Sequence, residues 1–240
     1  MDWLMLHMWP IPDLLVLVVM AGVAGLDVVS FPQAMISRPI VSATLGGTFV
    51  GQPLAGLTCG VALECLALEA LPVGASRYPE WGSASVAAGA LAAGHVIPSG
   101  LPEAGPFAMA ILVAISASWL GGFTMVKHRQ YVGRYARARL PELAAGKRDT
   151  IMKLQLIGMT MDLLRGAFVG LVTLLLATPL VELVDQHWTL REDLSRAVVV
   201  TLVAAVAAAA AWKDFHAFTG TRRLFLVSLA VGTGVVLLGA

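Results

Sequence analysis

Two carboxylates stand where a carboxylate is costly. The stretch SRPIVSATLGGTFVGQPLAGLTCGVALECLALEALPVGA, residues 37–75, contains Glu64 and Glu69, and apart from two thiols its only other ionisable side chain is Arg38. A charged side chain near the bilayer centre costs about 2.5–3.5 kcal/mol on insertion scales. A carboxylate there has to line a polar cavity, meet a partner or stay protonated. Glu64 follows Gly51 by 13 residues, deep in an apolar segment, and is expected to line a site. Glu69 comes five residues later, about 500° further round a helix, so the two share no face. Pro72 ends the helix close to Glu69, which reads almost equally well as a cap at the membrane edge. Asp27 and Gln33 bracket the end of the first apolar segment, Gln52 interrupts the run at its middle, and Glu80 lies between Tyr78-Pro79 and Trp81. Carboxylates and amides beside an aromatic ring suit a polyhydroxylated ligand. Glu64, Glu69, Gln52, Glu80, Gln33 and Asp27 are therefore the candidate substrate-binding residues, and no catalytic set accompanies them.

The elements that must position these groups are read from hydropathy. Apolar residues make up 58% of the 240 positions and charged ones 13%, with a mean hydropathy of +0.81. An ordinary soluble domain is nearer half apolar and a quarter charged, so an all-α polytopic membrane protein is expected, one membrane domain over residues 1–240. A spanning helix needs about 20 apolar residues. The candidates are 14–31, 83–97, 106–126, 154–182, 195–212 and 223–239, two of them short. The run 39–71 is too long and too interrupted for one helix. Gly46, Gly47, Gly51, Gln52 and Pro53 punctuate it, so two short helices over about 39–50 and 54–71 are expected, as a broken or re-entrant element. Such breaks at membrane depth are a recurrent recipe for a substrate site. The pairs Gly47/Gly51 and Gly56/Gly60 would let these backbones approach their neighbours closely.

Charge placement sets the expected topology. Eight of the sixteen Lys and Arg residues fall within 127–153, and only Arg38 and Arg77 precede them. Positive residues collect on cytoplasmic loops, so 128–150 is expected to be a basic cytoplasmic loop rather than a nucleic-acid patch. The acidic turn at 183–194 fits the outer side and the basic turn at 213–223 the inner side. Residues 1–13, with Trp3 and Trp9 but no basic n-region, fit an interfacial N-terminal helix. Cys59 and Cys65 read as small buried hydrophobes. His7, His95, His128, His187 and His216 are scattered and form no ligand motif, so no metal and no cofactor is expected.

Three ordered pieces, SRPIVSATLGGTFVG at 37–51, GVALECLAL at 60–68 and VGASRYPE at 73–80, carry a resemblance. Together they resemble the membrane C subunit (IIC) of the mannose/fructose/sorbose-type bacterial phosphotransferase system, most closely over about residues 25–90. The resemblance implies a multi-pass permease subunit in the bacterial cytoplasmic (inner) membrane, paired with a D membrane subunit (IID). Sugar crossing the pair would be phosphorylated by a cytoplasmic B subunit (IIB) fed from an A subunit (IIA), so this chain would do no phosphoryl chemistry itself. It would meet membrane lipids and assemble as an oligomer. By match, Glu64 takes the family's Leu-Glu position and Glu80 its Pro-Asp position. The chain departs from the pattern at Gln52, where many members have Asp, at Glu69, where many have Gly, and at Ala70 and Pro72, where a polar residue is usual. Sugar translocation is the leading reading. The alternatives are a transport-inactive regulatory or assembly component that keeps the fold, and an unrelated ion- or proton-coupled permease with Glu64 and Glu69 as relay groups.

Overall fold

A computed structural model describes residues 9–68, 77–188, 190–214 and 220–239. The described residues are helical, joined by loops that hold one isolated bridge between Val96 and Pro102. The helices are α1 (Ile11–Asp27), α2 (Pro39–Phe49), α3 (Pro53–Ala67), α4 (Trp81–Ala93), α5 (Ala104–Ala138), α6 (Leu140–Ala144), α7 (Arg148–His187), α8 (Glu192–Asp214) and α9 (Thr221–Gly239). By length and composition α5, α7 and most of α8 are long and apolar enough to cross a membrane.

The run 39–71 is broken, as its prolines and glycines require. Pro39 and Pro53 each occupy the first turn of a helix, where their missing N–H costs nothing. Gly51 adopts φ +89°, a conformation most side chains resist, and the Gln52 N–H closes the turn on the Gly47 carbonyl at 2.8 Å. The two helices fold back on one another. A methyl group on Gly47 would stand 2.6 Å from the Gly56 Cα, so only hydrogen fits between these backbones. The second glycine pair acts likewise, with Gly60 set against Ile40.

α4 is the axis of the fold. All residues from Gly82 to Ala93 are buried, and α1, α2, α3, α5 and α7 pack around them. Its sequence, WGSASVAAGALAA, lets five helices approach because it is built almost wholly of small residues. At 13 residues it is about 20 Å long, short of the roughly 30 Å hydrocarbon core. Enclosure by protein removes the need to match that thickness.

Three boundaries differ from the sequence reading. The first apolar segment, expected over 14–31, is helical over Ile11–Asp27 and yields to a loop. The short interfacial helix expected over 1–13 lies mostly outside the described residues, and α1 already begins at Ile11. Residues 128–150 are not an open loop but the end of α5, the short α6 and the start of α7. Charge marks where a segment leaves the apolar phase, but Arg, Lys, Ala and Glu are all good helix formers. The 35 residues of α5 and 40 of α7 give lengths of about 52 and 60 Å, so both helices run on past the apolar zone. Pro141 and Gly146, the latter at φ +69°, make the turn between them. Together these segments form the basic end of the molecule.

Candidate functional site

Asp27 closes α1 and organises the loop that leads to α2. Its buried carboxylate accepts from the Ala34 N–H at 2.6 Å and from both the N–H and the hydroxyl of Ser37 at 2.9 Å. These bonds hold the 28–38 loop in a shape that places Gln33 (φ 57°) and Met35 (φ 63°) in the left-handed region. Side chains there cost of order 1–3 kcal/mol each and persist only where the surroundings enforce them. The product of that enforcement is a cavity of about 460 Å3. Asp27 and, from this loop, Gln33, Ser37 and Arg38 are among the residues that line it, together with Tyr78 and Arg129. Arg129 donates to the Tyr78 hydroxyl and stacks over its ring, 4.9 Å from the centroid.

Glu64 stands beside this cavity, with its charge already compensated. One oxygen meets Arg38 Nε at 3.2 Å, and the other accepts from the Ile40 N–H at 3.2 Å. The Ile40 N–H is one of the orphan donors at the start of α2, so Glu64 also caps that helix at its positive end. Both groups remain reachable, with side-chain exposures of 44% for Arg38 and 17% for Glu64.

Beneath lies a polar network that sequence reasoning did not find. Glu80 is fully buried; it caps α4 through the Ser83 hydroxyl (2.5 Å) and N–H (3.4 Å), and its second oxygen pairs with Arg165 Nη1 at 3.1 Å. Arg165 Nη2 donates to the Gly25 carbonyl at 3.4 Å, and Nε lies 3.6 Å from Asp162 Oδ1. Asp162 also holds His128 Nδ1 at 3.0 Å and accepts from Ser30 Oγ at 2.5 Å. Ser30 belongs to the loop that walls the cavity, so that loop is tied to α5 and α7 through Asp162. Gly121 gives the carboxylate room, since a methyl there would stand 2.8 Å from Glu80 Oε2. The signal available in the sequence was Asp162 and Arg165, one helical turn apart inside an otherwise apolar span.

The six sequence candidates therefore separate. Asp27 and Gln33 line the cavity, Glu64 reaches it through Arg38, and Glu80 lies in the buried network. Gln52 sits at the α2–α3 turn, twelve residues along α3 from Glu64 and so about 18 Å away. Glu69 falls outside the described residues. Of the ways a carboxylate can be accommodated in an apolar segment, Glu64 shows the partner: Arg38, the other charged side chain near the start of the 37–75 run, pairs with it. Among the described residues no group of three or more His, Cys, Asp or Glu side chains is placed to hold a metal ion.

The fold, with its broken hairpin against a buried central helix, agrees with what comparison finds. The family described as the PTS system sorbose-specific IIC component matches residues 11–190, which run from α1 to the end of α7 and a little beyond. The chain belongs to this family. It is thus the C subunit of a mannose-type phosphotransferase permease, an integral component of the inner membrane. Among solved structures, one titled "Structure of membrane protein" is similar in fold, with a TM-score of 0.64 at 18% identity, covering 96% of this chain and 95% of the other. No curated protein matches the chain. Membership makes an unrelated ion- or proton-coupled permease untenable.

Proposed function

We propose that this C subunit carries a sugar across the membrane together with a D subunit, for phosphorylation by a cytoplasmic B subunit fed from A. The observation that carries the reading is the polar cavity beside the Arg38–Glu64 pair. Gln33, Arg38 and Tyr78 offer amide, guanidinium and hydroxyl groups together with an aromatic ring, the mixture a polyhydroxylated ligand needs. Asp27 shapes the loop, its oxygens being engaged there. Glu64 holds Arg38 in place and exchanges that partner for sugar hydroxyls when sugar enters. The cavity lies toward the basic end, where α5–α7 project a helical platform rich in Arg and Lys. That platform, on the cytoplasmic side, is the docking surface for the phosphorylating subunit.

The test is sugar affinity and folded yield measured together on purified C–D complex. Hydrogen bonds to charged groups contribute roughly 1.5–3 kcal/mol, so Glu64→Ala should weaken sugar binding at least about tenfold. Glu64→Gln, which keeps shape but loses the charge that holds Arg38, should fall between. Unchanged affinity in the Ala variant, with a lower yield, would leave Glu64 as the cap of α2 and nothing more.

A further inference from the structure

A second cavity, of about 570 Å3, lies between α5 and α7 and has no part in the sugar-site reading. Leu112, Leu120, Phe123, Phe168 and Leu176 are among the side chains that line it. Its hydroxyls are turned back onto their own helices: Ser116 donates to the Leu112 carbonyl at 3.0 Å, Thr124 to Gly121 at 2.7 Å and Thr173 to Val169 at 2.7 Å. The trough therefore offers only apolar contact. It runs along α5 from Met109 to Thr124, about 22 Å, which exceeds the roughly 15 Å depth of one leaflet.

Its end toward the basic side is different. The Arg77 guanidinium lies over the rings of Phe123 (5.3 Å) and Trp119 (5.7 Å), and the Lys127 ammonium lies over Phe123 at 5.6 Å. Trp119 and Phe123 are each 49% exposed. Among the described residues, neither cation meets a carboxylate within ion-pair distance. A ring face attracts a cation but accepts few of its hydrogen bonds, so both cations keep N–H donors to offer. Two such cations at the mouth of an apolar trough are matched by one kind of molecule, with an anionic head and a long hydrocarbon tail.

We infer that the α5–α7 trough binds an anionic phospholipid, with an acyl chain along Leu112, Leu120 and Phe168 and the acidic headgroup at Arg77 and Lys127. The charge at the mouth is what selects lipid over an apolar helix, which would leave both cations unanswered. Trp119 is a built-in reporter. In bilayers of neutral lipid doped with acyl-brominated phosphatidylglycerol or acyl-brominated phosphatidylcholine, quenching of its emission, isolated by subtracting the Trp119→Phe protein, reads occupancy. The acidic lipid should quench more effectively by at least about fivefold, the amount supplied by one cation near an anionic lipid. Arg77→Gln combined with Lys127→Gln should abolish the preference. So should about 1 M salt on the unmutated protein, where the Debye length falls to roughly 3 Å, and that arm needs no altered protein to fold. Equal quenching by the two lipids, or a preference that survives both the substitutions and salt, overturns the inference. So does quenching by neither, the result for a trough filled by a partner subunit or a second copy of the chain.

Discussion

Replacing Arg165 with methionine leaves Glu80 buried without its cation. Glu80 is fully inaccessible and the Arg165 side chain is 7% exposed, so water replaces neither partner. Removing one member of a buried pair costs about 3–5 kcal/mol, because the remaining charge is stranded. Arg165 also approaches Asp162 at 3.6 Å, so its loss takes a cation from two buried carboxylates and places Arg165→Met at the upper part of that range. Glu80→Gln is milder. The amide still accepts from Ser83, and Arg165 retains Asp162 and the Gly25 carbonyl, so about 1.5–3 kcal/mol is expected. The double variant should be less damaging than the sum of the two by about 1–3 kcal/mol. The assay is loss of helicity on titrating denaturing detergent into purified protein, run as a double-mutant cycle. Additivity within about 0.5 kcal/mol would mean that the two groups do not interact and would refute the account of the network.

Other parts of the molecule carry three further expectations. A methyl group on Gly89 would run into the Ala43 carbonyl oxygen, so Gly89→Ala should reduce stability by about 1–3 kcal/mol or more; Gly232→Ala, with nothing within 4 Å, should be neutral or slightly stabilising in the same titration. At the end opposite the basic one, burial and then a hydrogen bond with Asp185 raise the Glu103 carboxyl above its ordinary 4.5. Its contribution to stability is therefore full below that ordinary value and is lost as pH rises through the raised one. Hydrogen exchange over 95–103, corrected for intrinsic rate, should show easier opening at mildly alkaline than at acidic pH, and Glu103→Gln should flatten the dependence; the opposite slope would contradict the assignment. Finally, a cysteine placed at Arg137→Cys should resist a membrane-impermeant thiol reagent added to intact cells, and labelling from outside would reverse the proposed orientation.

What could be read from the sequence alone was what depends on local chemistry. Hydropathy is a property of consecutive residues, so the membrane class and most helices were legible from it. The break at Gly51-Gln52-Pro53 was legible for the same reason, since proline and glycine act on their own backbone wherever the chain goes. The glycine pairs announced close helix approach without naming the partner. Charges were legible as charges only. That 128–150 is helical escaped notice because leaving the apolar phase and leaving a helix are different events. The partner of Glu64 could not be named from the sequence, because Arg38 reaches it only after α2 and α3 fold back on each other. Glu80 meets Arg165 across 85 positions and Asp162 meets His128 across 34. Such pairings depend on distance in space, and that distance is set when α4 buries its small residues among five helices. Local structure arises from each residue's own backbone and transfer energy, whereas the identity of a buried charge's partner is decided only by packing.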